Sequence, residues 1–202
     1  LTCVGDAGNI TYKRSRRGNA QIDRAVQQVL SDSGAPHRVI DFFPYGYDER
    51  QYCSPGFNLP VGCFMRSQHG TFPEYHTSAD NLEFIKTEAL ADSLEKILSV
   101  IDLIESDNSA PYLVHESGPE AGASESGAAF FLNLKPKGEP QLGKYGLYET
   151  LNGDVMPALW VLNFSDGRHS LQKIAARAGL PFDKVAYTAD ILVSRGLLKE
   201  VK

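Results

Sequence analysis

Leu1-Thr2-Cys3-Val4-Gly5-Asp6 is a short apolar run closed by a carboxylate, the pattern of a buried strand that delivers an acid to the edge of a sheet. Downstream, Asn19 stands where a helix cap is needed, and Ile22, Ala25, Val26, Val29 and Leu30 recur at i, i+3, i+4, i+7 and i+8. Gly34 and Pro36 stop that helix, and Val39 to Phe43 forms a second short apolar run before Pro44. Val61 to Met65 is a third. After Thr87, Leu90, Leu94, Ile97, Ile101 and Ile104 form one apolar stripe, predicting a long helix that packs through those residues. Strand, helix, strand, loop, strand, helix is an α/β order, and it predicts a sheet flanked by helices. In such sheets ligands gather beyond the carboxyl ends of strands, which makes Asp6 a candidate site residue.

Composition bounds the rest. With 42% hydrophobic and 22% charged residues, the 202-residue chain has the make-up of a globular protein with room for a real core. The net charge of -5 argues against a general polyanion binder. No apolar run approaches the roughly 18 residues of a membrane span. Three cysteines, Cys3, Cys53 and Cys63, cannot all pair, and none sits in a C-x-x-C arrangement; reduced thiols in a cytoplasmic protein are the plain reading. Because the chain opens on Leu1 inside an expected strand, it reads as the C-terminal part of a longer protein, with that missing N-terminal part as its first partner.

Three divisions follow: an α/β part over 1–107, a linker and extended arm over 108–150, and a helical module over 151–202. Asn108 to Ser126 is rich in Ser, Gly, Glu and Ala. Lys135-Pro136-Lys137-Gly138-Glu139-Pro140 is too turn-rich for a helix. From Met156 the pattern becomes helical, with a short helix over Ala158 to Leu162. Ser170 caps a second helix through Ala178, and a third runs from Phe182 to Ser194. Gly196 stops it and Leu197 to Val201 is a closing strand. Two helices joined by a short Gly-containing turn and followed by a strand give the winged-helix pattern.

The candidate chemistry lies in Glu74-Tyr75-His76-Thr77-Ser78-Ala79-Asp80-Asn81-Leu82. A neutral imidazole is the commonest protein metal ligand, and Asp80 is near enough in sequence to hold the other ring nitrogen of His76. Arg14, Arg16 and Arg17 belong to the compact basic run Lys13-Arg14-Ser15-Arg16-Arg17-Gly18. It is either a solvated face or an anion-binding element for a carboxylate or sugar phosphate.

These segments, with Asp48-Glu49-Arg50-Gln51-Tyr52-Cys53-Ser54-Pro55-Gly56 and Pro136-Lys137-Gly138-Glu139-Pro140-Gln141-Leu142-Gly143-Lys144, resemble the bacterial aminopeptidase-like proteins. Those are relatives of the co-catalytic zinc aminopeptidases and are often linked to polysaccharide biosynthesis. The resemblance implies part of a zinc-aminopeptidase-like sheet plus a small C-terminal winged-helix-like domain. It also implies two zinc ions that share a bridging carboxylate and a water. Within it, Asp6 resembles a terminal carboxylate ligand and His76 the late His ligand. Tyr75 resembles a polar neighbour of the reacting centre, and Asp80 a support behind the ligands. Asp48 resembles the acid of a Ser-Asp-His loop near the site, although Tyr47 and Glu49 replace its Ser and His. The family's remaining ligands and its general-base glutamate would lie upstream of Leu1, so this stretch alone should be inactive. A small peptide-like or amino-sugar-like substrate is implied, and a homo-oligomer stays open.

Bland alternatives stand beside each reading. His76 has the alternative of a structural imidazole, and Asp6 that of a strand-end or turn residue. His37, His69, His115 and His169 read as surface residues. The C-terminal module carries seven Lys/Arg against five Asp/Glu from Leu151 to Lys202. Phosphate contacts dominate DNA affinity, so protein contact suits it better than DNA.

Overall fold

A computed structural model describes residues 1–107 and 128–201. They form two compact units, one of residues 1–42 and 60–107, the other of residues 43–59 and 128–201. Each mixes a three-stranded sheet with helices, as an α/β reading expects. The linker expected over Asn108 to Ser126, and His115 with it, lies outside the described residues.

The first unit is built on β1 (Ile10–Lys13), with β2 (His37–Ile40) parallel to it and β3 (Cys63–Met65) antiparallel, in the order β2-β1-β3. Two helices cover it, α1 (Gln21–Asp32) and α3 (Thr87–Ser106). Their shared core gathers Ile10 and Tyr12 of β1, Ala25, Val26 and Leu30 of α1, Phe64 of β3 and Val100 of α3. Full burial of each larger apolar side chain is worth about 1.5–3 kcal/mol, so this cluster holds the unit together.

Two sequence expectations fail here. Residues 1–6 are not a strand. Thr2 N–H donates to Phe64 O at 3.1 Å and Arg66 N–H to Cys3 O at 2.9 Å, so the run lies alongside β3. Cys3, at φ 45°, then breaks the ladder, because a left-handed residue cannot continue a strand. The first strand is β1, which ends on the first residue of the basic run. The α3 stripe is also turned: Ala89, Ser93, Lys96 and Val100 are buried, whereas Leu90, Leu94 and Ile101 are exposed, Leu94 to 56%. Ile97 and Ile104 do pack on the core. Polar residues win the inner face because they have partners there: Ser93 Oγ donates to Val4 O at 2.9 Å, and Lys96 pairs with Asp92.

The basic run after β1 is a structural corner. Buried Asp23, near the start of α1, accepts from Tyr12 OH at 2.8 Å, Ser15 N at 2.7 Å, Ser15 Oγ at 2.6 Å and Ala20 N at 2.9 Å. This hub replaces the expected Asn19 cap; the cap position is Ala20. One carboxylate thereby satisfies backbone donors that the helix start and the turn would otherwise leave unpaired.

The second unit contains α2 (Glu49–Tyr52), β4 (Phe130–Asn133), α4 (Leu147–Thr150), α5 (Met156–Phe164), β5 (Asp166–Ser170), α6 (Leu171–Ala178), α7 (Phe182–Ser194) and β6 (Leu198–Val201). Its sheet runs β5-β4-β6, antiparallel throughout. Residues Pro157 to Phe164 of α5 are all buried, so this helix is apolar on every side and sits at the unit's centre. Ser170 Oγ accepts from Lys173 N at 3.3 Å, the expected cap, and Gly179 and Gly196 close their helices at φ 64° and 69°.

The stretch from residue 130, expected as an extended arm, supplies the central strand β4 instead. Residues 136–139 then grip the α2 loop. Gly138 N donates to Ser54 Oγ at 2.8 Å, Glu139 N to Gln51 Oε1 at 2.6 Å, and Gly56 N to Pro136 O at 2.8 Å. Among the described residues no helix is long and apolar enough to cross a membrane. None of the three cysteines forms a disulfide.

Candidate functional site

Asp6 is held where β3 ends. It is 3% exposed, and its Oδ1 accepts from Gly8 N at 2.7 Å and Ser67 Oγ at 2.5 Å, while Oδ2 accepts from Ser67 N at 3.1 Å. Three of a carboxylate's roughly four lone-pair directions are therefore filled. Gly8 is required here: a Cβ on it would overlap both Ser67 Oγ and Asp6 Oδ1. Arg66, one residue before Ser67, fixes the same turn by donating from Nε to Gly8 O at 2.7 Å.

Beyond Ser67 the chain makes consecutive turns that carry an aromatic ledge. The His69 ring lies 6.3 Å from Tyr75, Phe72 meets Tyr75 edge-on at 5.6 Å, and the Tyr75 and His76 rings stack at 4.0 Å with 15° between planes. Tyr75 is half-buried and His76 exposed. His76 adopts φ 59°, a left-handed conformation that non-glycine residues take at a cost, and such costs cluster at functional positions. Residues 67–69 thus connect the Asp6 anchor to the Tyr75–His76 stack.

Asp80 is exposed and its carboxylate makes no hydrogen bond to His76; the turn over 77–80 is closed by backbone, with Asp80 N donating to Thr77 O at 3.2 Å. Asp48, exposed at the head of the four-residue α2, belongs to the other unit. Its neighbour Glu49 is buried and accepts from Tyr47 N at 3.1 Å. Arg14 bridges Asp41 at 2.8 Å and Gln27 at 3.0 Å, and Arg16 is buried. Arg17 is half-buried.

Among the described residues no three His, Cys, Asp or Glu side chains come together in a way that could hold a metal ion. Zinc sites use at least three protein ligands, so Asp6 and His76 do not make one by themselves. Reading from sequence missed Ser67, Gly8 and His69. The Ser67-Gln68-His69-Gly70 run directly after a strand was the available signal. His169, read as a lone surface residue, pairs through Nδ1 with Asp166 at 3.0 Å.

Two family models match the chain, and the first of them takes in residues 43–59, which pack in the second unit. Residues 1–107 match the family model described as a domain of unknown function (DUF4910), and residues 129–200 match that of the winged helix-turn-helix. A Clostridium acetobutylicum protein, provisionally described as a polysaccharide biosynthesis protein with an aminopeptidase-like domain, is 46% identical over 206 residues, covering 99% of this chain and 42% of the relative. A crystal structure from Clostridium acetobutylicum, provisionally described as a peptidase, is 45% identical with a TM-score of 0.50, covering 98% of this chain and 40% of that one. The chain thus spans about two-fifths of the length of these relatives.

Proposed function

The chain belongs to the DUF4910 family, and from that premise we propose that it is the part of an aminopeptidase-like hydrolase that contributes Asp6, His76 and Tyr75 to the site. The reaction is hydrolysis of an amide in a small peptide-like or amino-sugar-like substrate. The observation that carries this reading is the strand-end arrangement, a carboxylate clamped by Ser67 and Gly8 and joined through residues 67–69 to a strained imidazole stacked on a phenol. The names given to the two relatives point the same way.

Within this proposal Asp6 keeps one lone-pair direction and His76 an exposed ring for a cation, and Tyr75 supplies a phenol to an oxygen gaining negative charge. The two zinc ions implied by the resemblance need further ligands from the remaining length of the relatives. Two donors fall short of a site. The test is hydrolysis of aminoacyl anilides by the longer protein. Asp6→Asn and His76→Ala should each lower kcat/KM by about a hundredfold or more, and Tyr75→Phe should lower kcat with KM unchanged. Full turnover in the His76→Ala protein contradicts the reading.

One observation favours a second reading, a non-catalytic member that binds a ligand in the same place. Asp6 is already well satisfied, and Asp80 gives His76 no support. That reading predicts ligand-induced thermal stabilisation without turnover and without chelator sensitivity. For the winged-helix unit we favour protein contact over DNA. Lys184 on α7 is paired with Asp154, and Arg195 Nη2 donates to Thr150 Oγ1 at 3.1 Å, so cations a duplex would need are engaged within the unit.

A further inference from the structure

A second place in the first unit has the make-up of a binding site and shares no residue with the Asp6–Tyr75–His76 arrangement. A cleft of about 240 Å³ opens where β1 and β2 begin, between the end of α1 and the second turn of α3. Its apolar wall includes Ile10 and Leu30, and its polar wall Arg66, Asp92, Lys96 and His37. At that volume it lies just below the roughly 300–1,000 Å³ of drug-sized ligand pockets, which limits it to a small molecule.

The charges do not balance. Among the described residues Asp92 is the one carboxylate in the cleft wall, and it serves two cations, Arg66 Nη1 at 2.8 Å and the Lys96 ammonium. Arg66 spends its remaining bonds on backbone and Ser93, with Nε on Gly8 O and Nη1 on Ala89 O at 3.2 Å and Ser93 Oγ at 3.3 Å. Among the described residues its Nη2 donates to nothing, and two of the three Lys96 ammonium protons are unspent. The His37 Nδ1 bonds Ala35 O at 2.9 Å, which places the proton on that nitrogen and leaves Nε2 the variable one. With neutral His37 the wall carries one surplus positive charge, held by two side chains whose residual exposure is small, 12% for Arg66 and 10% for Lys96.

We propose that this cleft binds a small monocarboxylate, its oxygens on Arg66 and Lys96 and its hydrocarbon part on Ile10 and Leu30. A single surplus charge matches a monoanion. A phosphate dianion would set a second negative charge beside Asp92 with nothing to offset it.

The experiment is a titration of the whole chain with butyrate at constant ionic strength, following the amide signals of His37, Arg66 and Lys96. Saturation on the order of millimolar is expected, as suits a ligand of few atoms. Lys96→Met keeps the apolar stem and removes the surplus cation, so butyrate binding should weaken roughly tenfold. Asp92→Asn removes the internal competitor and should tighten it by a similar factor, a reversal that a merely structural role for the cluster does not produce. Each variant is measured well below its own melting temperature. Butanol should not saturate, and inorganic phosphate should bind more weakly than butyrate. Linear, unsaturable shifts, equal affinities in both variants, butanol binding as well as butyrate, or phosphate binding better would each overturn the proposal.

Discussion

Each unit holds a guanidinium–carboxylate contact of 2.8 Å, Arg66–Asp92 in the first and Arg50–Glu139 in the second, and the two carboxyl groups are shifted in opposite directions from their ordinary values. Asp92 is held below its ordinary value, chiefly by the hydrogen bond from Lys96, with Arg66 adding to it against a smaller burial penalty. Glu139 is pushed up because burial outweighs the attraction of Arg50. The contact distance is the same, and the count of cations and the loss of water decide the sign. The first unit thus keeps cationic capacity to spare at its strand ends. The second uses its charges to hold the α2 loop against residues 136–139.

Removing the cation should separate the two sharply. Arg66→Met breaks bonds to Gly8, Ala89, Asp92 and Ser93 at once, and we expect a loss of about 3 kcal/mol in the unfolding free energy of the first unit. Arg50→Met should cost only about 1 kcal/mol, because a lone Glu139 can take up a proton. Denaturant melts of the two variants read the difference, and equal losses would remove the contrast. Next in size is Gly8→Ala, expected to cost about 1–3 kcal/mol by forcing Ser67 from Asp6 and leaving that buried carboxylate short of a donor.

The pH dependence gives the comparison its sign. Glu139 has a raised folded value, so its contribution is fully present below its ordinary 4.5 and is lost as pH rises through the raised value. Asp92 has a lowered folded value, so its contribution is present above its ordinary 3.8 and is lost as pH falls through the lowered one. Stability followed from pH 3 upward should lose these terms in opposite directions, and Glu139→Gln should flatten the upper limb alone. The smallest effect belongs to His76. His76→Asn should change stability by under about 0.5 kcal/mol, since the site is exposed and Asn tolerates the left-handed backbone. His76→Val should cost about 1–3 kcal/mol more, because a β-branched residue does not tolerate it.

What the sequence made legible follows the same line. Where apolar periodicity governs, as in α1 and in α6 with α7, elements were readable to within about two residues, together with Ser170 as a cap and Gly179 and Gly196 as stops. Where polar partners govern, the reading failed. The inner face of α3 carries Ser93 and Lys96 because Val4 and Asp92 satisfy them, and no periodicity announces that. β5 is Asp-Gly-Arg-His-Ser, polar throughout, and exists because β4 pairs with it. Leu1 to Asp6 is apolar enough for a strand yet is interrupted at Cys3 by a backbone angle that composition does not reveal. For the candidate site, the sequence reading named Asp6, Tyr75 and His76 but not Ser67, which anchors Asp6 from 61 positions away.

The most direct test of the account is the metal content of the longer protein, purified without chelator and analysed at equilibrium with low micromolar zinc. If Asp6 and His76 complete a metal centre with ligands from the rest of the relatives' length, the protein should bind zinc stoichiometrically. His76→Asn and Asp6→Asn should each lose most of it while melting within about 1–2 kcal/mol of the parent. Zinc occupancy unchanged by either substitution, or absent from the parent, would contradict the account.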